Sequence, residues 1–155
     1  MTQDRKYAVV TGASTGIGRE IAIKLANQGA VVVLVARSAD KLNQTKKLIE
    51  DVGGKSDVYV TDLSKVEEIN KLISSILGKT NHVDVLVNVA GIWHGKDTVF
   101  ADTDFDKFSQ DVVVDTLMVG TVAPTLLTHG LIPLMASGSK IINISGTFEN
   151  GAKYT

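Results

Sequence analysis

The stretch Thr11-Gly12-Ala13-Ser14-Thr15-Gly16-Ile17-Gly18 decides how this chain folds. It follows an apolar β-type run, Tyr7 to Val10, and it precedes a helical pattern of apolar residues at Ile17, Ile21 and Leu25. A glycine-rich turn between a strand and a helix lets backbone N–H groups approach a pyrophosphate, whose charge the helix dipole stabilises. The spacing TGxxxGxG differs from the commoner GxGxxG, so the strand–turn–helix setting carries much of the argument. A plain turn of small residues is the alternative.

Apolar runs rich in β-branched residues alternate with helical patterns from one end of the chain to the other. Five such runs predict strands covered on both faces. They are Ala8–Val10, Val31–Val35, Val58–Val60, Val83–Val87 and Ile141–Ile144. This alternation predicts parallel strands joined by right-handed crossovers. We therefore expect an α/β fold, a Rossmann-type doubly wound parallel sheet with strand order 3-2-1-4-5.

Capping residues and glycines set the predicted limits of the first two helices. The first runs from about Gly16 to Gln28 and stops at Gly29, a residue type that commonly ends helices. The second starts at Ser38 and ends at Gly53-Gly54. Its apolar positions are Leu42, Leu48, Ile49 and Val52.

Two further helical segments follow. The third helix opens with Ser64-Lys65-Val66-Glu67, a capping-box pattern, and it ends before Gly78. Its apolar face consists of Ile69, Leu72, Ile73 and Ile76. A longer helical stretch extends from about Asp104 to Met135, and Pro124 and Pro133 argue against one straight helix.

Composition excludes several classes of function. The 155 residues predict a single domain, residues 1–155, and the net charge of −1 with no basic cluster argues against a nucleic-acid or anionic-membrane partner. The absence of cysteine excludes disulfides, zinc-thiolate sites and cysteine nucleophiles, and it fits a cytoplasmic protein. No stretch approaches transmembrane length, so no membrane partner is expected. Three scattered histidines without ligand spacing predict no metal site.

Four segments, each at the end of its own predicted strand, resemble the short-chain dehydrogenase/reductase family. They are the TGASTGIG turn, Val60-Thr61-Asp62-Leu63-Ser64, Asn88-Val89-Ala90-Gly91 and Ile142-Asn143-Ile144-Ser145. The resemblance runs from about Lys6 to Thr155. It implies an oxidoreductase that transfers hydride between a nicotinamide dinucleotide and a small-molecule carbonyl or secondary alcohol.

The resemblance also implies which residues hold the cofactor. Gly12, Gly16 and Gly18 form the phosphate turn, with hydroxyls and backbone amides of Ser14, Thr15 and Ile17 around it. Asp62 matches the aspartate that bonds the adenine amino group, with Leu63 beside it; an ordinary aspartate at a helix start is the alternative. Asn88, Ala90 and Gly91 match the loop that supports the sheet and passes the adenosine ribose.

The end of the second strand indicates which cofactor is preferred. An acidic residue there binds the ribose 2′-hydroxyl of NAD, whereas a nearby arginine accommodates the 2′-phosphate of NADP. No carboxylate occupies positions 35 to 38, Arg37 offers a charge-assisted bond to phosphate, and Ser38 adds a hydroxyl. The sequence therefore predicts NADP(H) in preference to NAD(H). The alternative is a solvated Arg37 paired with Asp40.

The chain departs from the family at the acid/base pair. The family uses a tyrosine, a lysine four residues later and a serine that orients the substrate oxygen. Tyr154 is the only tyrosine after Ser145, Lys153 precedes it, and no residue stands four positions after it. We therefore expect the cofactor-binding part of a longer enzyme, truncated before the Tyr-x-x-x-Lys segment and inactive alone. Ser145 is the candidate for the orienting serine, or it is merely structural; a nucleotide-binding or interaction module without turnover is the alternative function.

A second departure concerns the long helix. The family has an asparagine three residues before a Gly-Thr pair, and Leu117 holds that place before Gly120-Thr121. Either Thr116 substitutes for it through an inserted residue, or the proton relay differs. If the family's remaining strands are absent, Ile141–Ile144 becomes an unprotected edge strand. We therefore expect a homo-oligomer.

Overall fold

The structure of the protein is a computed structural model that describes residues 5–92 and 105–145. Its five strands form one parallel sheet in the order β3-β2-β1-β4-β5. The strands are β1 (Tyr7–Thr11), β2 (Val31–Ala36), β3 (Lys55–Val60), β4 (Val85–Asn88) and β5 (Lys140–Asn143). The predicted doubly wound parallel sheet is confirmed.

Helices cover both faces of the sheet over β1, β2 and β4. The expectation that all five strands are covered is wrong for the edge strands, because every residue of β5 is exposed and β3 is only partly buried. The helices are α1 (Gly16–Asn27), α2 (Ala39–Asp51), α3 (Val66–Leu77), α4 (Gln110–Leu117) and α5 (Ala123–Leu131). Successive side chains of a strand point to opposite faces. On β1, Ala8 and Val10 therefore pack towards α1 and α2, whereas Val9 packs towards α3 and α5. Burying each such valine stabilises the fold by about 1.5–3 kcal/mol.

The face that α1 buries differs by one residue from the predicted one. Gly18, Ala22 and Ala26 are buried, whereas Ile17 is 62% exposed. Small residues let the helix axis lie close to the sheet, and this brings the first turn of α1 against the end of β1. The apolar pattern at Ile17, Ile21 and Leu25 correctly predicted a helix, but the buried face lies one residue further along the chain, and Ile17 faces solvent.

The limits of β3 and β4 and the buried face of α2 differ from the prediction. β3 begins at Lys55 rather than Val58, because an edge strand pairs through its backbone with β2 and tolerates polar side chains. β4 begins at Val85 rather than Val83, whose N–H donates to Leu134 O instead of joining the ladder. In α2, Ser38 caps the helix as predicted, but of the four apolar positions only Leu42 and Ile49 are buried.

The predicted capping box at the start of α3 is wrong. The Ser64 hydroxyl donates to Asp62 Oδ1 at 2.9 Å, and the helix begins at Val66 after an N-cap at Lys65. Glu68 instead accepts the Asp62 N–H at 2.6 Å. A carboxylate two residues upstream thus takes the hydroxyl that the pattern assigned to the helix.

The long helical stretch changes its winding before its first proline. A π-helical turn, Met118–Val122, joins α4 to α5, and the Ala123 N–H donates to Met118 O. Pro124 lies in the first turn of α5, where its missing N–H costs least. Pro133 lies in a closing 3₁₀ turn, Ile132–Leu134. The expectation of an interrupted helix is confirmed.

Residues Gln110–Leu134 nevertheless run as one helical stretch of 25 residues with a mean hydropathy of 1.5, long and apolar enough to cross a membrane. The prediction that no stretch approaches transmembrane length is therefore wrong. The buried side of α5, formed by Ala123, Leu127 and Leu131, packs on the sheet. Core helices of soluble proteins reach the same length and composition, so length alone implies no membrane role.

Candidate functional site

The glycine turn packs directly against the segment that follows β4. Gly12 has φ +66° and Gly16 φ +53°, in the left-handed region that favours glycine. A Cβ on Gly12 would lie 2.9 Å from Ala90 N, and one on Gly18 would overlap the Gly12 carbonyl oxygen. A Cβ on Gly16 would meet no atom within 4 Å. Gly12 and Gly18 are thus required by the fold, whereas Gly16 borders open space.

Helix α1 starts beside that space without a side-chain cap. Its N-cap residue Thr15 makes no side-chain hydrogen bond, and its first turn holds no acidic residue. The first N–H groups of a helix have no intrahelical partners and carry partial positive charge. The space bordered by Gly16 and these free donors together fit a phosphate group.

Side chains join the turn to the two neighbouring strands. The Thr11 hydroxyl accepts hydrogen bonds from Val89 N and Ala90 N, both at 3.1 Å. The Asn88 side-chain amide donates to Asn143 Oδ1 at 2.8 Å, which links the ends of β4 and β5. Strand order reverses between β1 and β4, and such a switch point is where open α/β sheets bind ligands.

At the end of β2, Arg37 is exposed and Ser38 caps α2. The Ser38 hydroxyl accepts the Lys41 N–H at 3.4 Å and donates no hydrogen bond to another described residue. Among the ion pairs of residues 5–92 and 105–145, none joins Arg37 to Asp40. The alternative of an arginine paired within its own helix start is therefore not observed.

Asp62 has the geometry of a carboxylate that caps a turn. Its Oδ1 accepts from Ser64 N at 3.1 Å and from the Ser64 hydroxyl at 2.9 Å, and Lys65 Nζ lies 3.7 Å from Oδ2. Burial pushes the pKa of this carboxyl up, but the Ser64 bonds and the charges of Lys65 and Arg37 outweigh burial, so the pKa is lowered. The carboxylate is therefore ionised at neutral pH, with Oδ2 less occupied than Oδ1.

A family model for the short chain dehydrogenase matches residues 6–152. The chain belongs to the short-chain dehydrogenase/reductase family. The resemblance inferred from the four sequence segments is thereby confirmed.

Relatives in this family are longer than the chain. A fatty acyl-CoA reductase of Acinetobacter baylyi is 34% identical over 154 residues, which cover 97% of this chain and 50% of that protein. A metagenomic short-chain oxidoreductase solved in complex with NADP superposes with a TM-score of 0.75 at 35% identity, covering 83% of this chain and 55% of the other. A Burkholderia cenocepacia short-chain dehydrogenase, also in complex with NADP, gives 0.78 at 27% identity, covering 89% and 54%. The chain spans about half the length of the curated relatives it matches.

The dehydrogenase fold brings the predicted cofactor residues to one edge of the sheet. At the ends of β1 to β4 lie Gly12, Ser14, Thr15, Gly16, Ile17, Gly18, Arg37, Ser38, Asp62, Leu63, Asn88, Ala90 and Gly91. Ser145 follows β5 at the same edge and is exposed. Their roles towards a ligand stay predictions. Lys153 and Tyr154 lie outside the described residues.

Neither candidate for the family's helix asparagine reaches the sheet through a hydrogen bond in the described part of the chain. The Thr116 hydroxyl donates to Val112 O at 2.7 Å within α4, and Leu117 is exposed. The described residues also contain no group of three or more His, Cys, Asp and Glu side chains placed to hold a metal ion.

Sequence analysis missed two residues that contact the glycine turn. Arg19 donates to Ser14 O, and Thr45 donates to Ala13 O. Thr45 is 32 residues from Ala13 along the chain and looks like an ordinary polar position of α2. No local pattern marks such a contact.

Proposed function

We propose that this chain binds NADP(H), in preference to NAD(H), with the pyrophosphate over the glycine turn. One observation carries the proposal: an exposed Arg37 directly follows β2, with no carboxylate at positions 35 to 38, and the glycine turn beside it is open. A guanidinium forms charge-assisted bonds with a 2′-phosphate. Two solved relatives are complexes with NADP, which supports this choice.

The remaining contacts follow the course of the dinucleotide across the sheet edge. Ser14, Thr15 and Ile17 surround the pyrophosphate, and Ser38 adds a hydroxyl beside Arg37. The carboxylate of Asp62 accepts from the adenine amino group through Oδ2, because Oδ1 already accepts two bonds from Ser64. Leu63 lies beside the adenine. The adenosine ribose passes the loop that contains Asn88, Ala90 and Gly91.

For the whole protein we propose hydride transfer between NADP(H) and a small-molecule carbonyl or secondary alcohol. The nicotinamide supplies or accepts the hydride when the cofactor is bound. In this scheme the Ser145 hydroxyl orients the substrate oxygen from the end of β5. The A. baylyi relative is named as a fatty acyl-CoA reductase, and a long-chain acyl-CoA thioester is accordingly the first carbonyl compound to test.

A second candidate function is nucleotide binding without turnover. The proposed binding groups all lie within residues 5–92 and 105–145, and binding the dinucleotide requires no acid/base pair. In that case the chain acts as a dinucleotide-binding module.

Titration with NADPH and with NADH tests the proposal, followed by an assay of NADPH consumption with a long-chain acyl-CoA. We expect a Kd for NADPH about tenfold or more below that for NADH, since one charge-assisted contact separates the two cofactors. Steady consumption of NADPH by the whole protein supports the oxidoreductase, and binding without consumption by the whole protein supports the module. A chain that binds neither cofactor contradicts both.

We also propose that the protein is cytoplasmic and self-associates. Apolar side chains remain exposed on the long helical stretch and around the edge strand β5: Val114, Leu117, Ile132, Ile141, Ile142 and Ile144. Burying them in an interface between copies of the chain removes apolar surface from water, at about 25 cal/mol per Å².

A further inference from the structure

The carbonyl group of Ser14 is held by the side chain of Arg19. Arg19 Nε lies 3.1 Å from Ser14 O, and Nη2 lies 2.5 Å from the same oxygen. Both donors belong to one planar guanidinium, so this fork fixes the direction in which the carbonyl points. The fork starts on the first turn of α1 and reaches back to the glycine turn.

The preceding carbonyl is held from a different helix. The Thr45 hydroxyl, on α2, donates to Ala13 O at 3.0 Å, with Lys41 O at 3.2 Å as its other acceptor. The same hydroxyl accepts from Arg19 Nε at 3.1 Å. Thr45 is fully buried. Arg19 and Thr45 thus form one network, which we call the carbonyl clamp.

Because peptide groups are planar, the clamp also determines where the N–H groups of Ser14 and Thr15 point. In a trans peptide the C=O of one residue and the N–H of the next point in opposite directions. Ala13 O and Ser14 O are drawn towards Thr45 and Arg19, so the N–H groups of Ser14 and Thr15 are directed away from them. Within the described residues neither N–H has a hydrogen-bond partner, so both remain available to a ligand.

We infer that Arg19 and Thr45 are positioning residues for pyrophosphate: they hold two carbonyls back so that the N–H groups of Ser14 and Thr15 face the anion. This inference rests on the proposed function for the identity of the anion. Neither side chain touches the ligand. Because Thr45 lies on the helix that Ser38 caps, the clamp also ties the glycine turn to the element beside Arg37.

The test compares Thr45→Val, which keeps the shape and removes the hydroxyl, with Thr45→Ser, which restores it. Arg19→Met is the second variant and keeps the clamp testable if Thr45→Val does not fold. Thr125→Val is the matched control, because Thr125 loses a similar bond, to Thr121 O at 2.8 Å, on an exposed part of α5. The ligands are NADPH, NADH and adenosine 2′-monophosphate, which has no pyrophosphate.

We expect Thr45→Val and Arg19→Met to weaken NADPH and NADH by the same factor, about tenfold. The Kd of adenosine 2′-monophosphate for Thr45→Val and Arg19→Met should stay within about twofold of its value for the unsubstituted protein. Thr45→Ser and Thr125→Val should bind all three ligands with Kd values within about twofold of the unsubstituted protein. A general loss of structure would instead weaken the monophosphate as much as the dinucleotides, and that result would overturn the inference. Unchanged dinucleotide binding in both clamp variants would also overturn it.

Inorganic pyrophosphate separates this inference from the proposed function. In amide NMR spectra its addition should shift the signals of Ser14 and Thr15 in the unsubstituted protein and in Thr45→Ser, whereas Thr45→Val should need about tenfold more pyrophosphate for the same shift of Ser14. If those two signals do not move in the unsubstituted protein, the clamp has no role in anion binding. If they move but neither dinucleotide binds, the clamp stands and the NADP(H) proposal fails.

Discussion

The side-chain amide of Asn88 donates to Oδ1 of Asn143 over 2.8 Å, between two residues that are direct partners in the β4–β5 ladder. Asn88 is 3% exposed, and its own Oδ1 has no hydrogen-bond partner among the described residues. The Asn88 side chain therefore donates a hydrogen bond to Asn143 but accepts none from a described residue. The nitrogen of Asn88 faces the acceptor, and within residues 5–92 and 105–145 the one hydrogen bond of its side chain reaches the edge strand β5.

We predict that Asn88→Asp destabilises the protein by about 2–3 kcal/mol, because it sets a buried carboxylate oxygen against another acceptor without changing the shape. Urea unfolding measures the loss. Asn43→Asp is the control, since Asn43 is exposed on α2 and should change the free energy of unfolding by less than about 0.5 kcal/mol. Equal stability of the two variants would contradict this account.

Arg37→Asp should weaken NADPH binding far more than NADH binding, by about 10- to 100-fold, because a repulsive charge replaces a charge-assisted bond to the 2′-phosphate. Lys24→Asp makes the same charge change in the last turn of α1 and should leave the ratio of the two Kd values unchanged. Calorimetric titration of both cofactors gives the ratio. Equal losses for both would sink the 2′-phosphate assignment.

Gly16→Val should abolish binding of both dinucleotides while the helix content stays intact. A Cβ at position 16 meets no heavy atom of the described residues within 4 Å, so the main cost to the fold is the strain of a positive φ, about 1–2 kcal/mol. The valine instead fills the space over the glycine turn. Gly18→Val is the contrast, because its Cβ would overlap the Gly12 carbonyl and should lower stability itself. Circular dichroism and cofactor titration together separate the two effects, and unchanged affinity of Gly16→Val would refute the first.

The free energy of unfolding should fall in alkaline solution because of a polar network of Tyr7, Asp57 and Lys79, away from the glycine turn. The Tyr7 hydroxyl donates to Asp57 Oδ2 at 3.1 Å, and Lys79 Nζ lies 2.7 Å from Oδ1. Burial, and then the Asp57 charge, raise the pKa of Tyr7; the bond to Asp57 raises the pKa of Lys79 despite burial. Protons are then held more tightly in the folded state, so this stabilisation is full below about pH 10 and is lost as the pH rises further.

Asp57→Asn tests that network through the slope of the unfolding free energy between about pH 9 and 11. We expect a shallower fall than in the unsubstituted protein, though burial of Tyr7 keeps some of it. Asp51→Asn is the control, because Asp51 pairs with Lys47 on an exposed face of α2. If both variants keep the original slope, Asp57 does not govern the alkaline loss.

Self-association should respond to Leu117, which is 58% exposed at the end of α4. We expect Leu117→Lys to lower the mass measured by light scattering, because the substitution leaves a charge in an apolar interface. Leu48→Lys, at an exposed leucine of α2, should not change it. A protein that is monomeric before substitution would remove the proposal.

Sequence patterning predicted the sheet because its strands are carried by local signals. β-branched runs such as Val31–Ala36 differ sharply from the polar helices that follow them, and alternation then implies parallel crossovers. Limits failed where a non-local partner decided the outcome. β3 begins three residues before the predicted start because Lys55, Ser56 and Asp57 pair with the backbone of β2. Ser64 does not cap α3 because its hydroxyl donates to Asp62 Oδ1.

The candidate site divides in the same way. Glycines of the turn and Arg37 are recognisable from spacing at strand ends. The contact between Arg19 and Thr45 joins two helices across 26 residues, so no window of sequence contains it. Such contacts follow from how α1 and α2 pack on the same face of the sheet, where the buried Gly18 brings the start of α1 against the glycine turn.

The π-helical turn before Pro124 changes which side chains of α4 lie on the same side of the helix as the buried side chains of α5. Its extra residue rotates α4 relative to α5 by roughly 100° compared with an unbroken α-helix, while leaving room at the carbonyl of Gly120 for the proline ring. Deleting one residue there would turn every side chain of α4 towards a different neighbour. An insertion or deletion in this short segment would therefore rotate α4 about its axis relative to α5, which packs on the sheet.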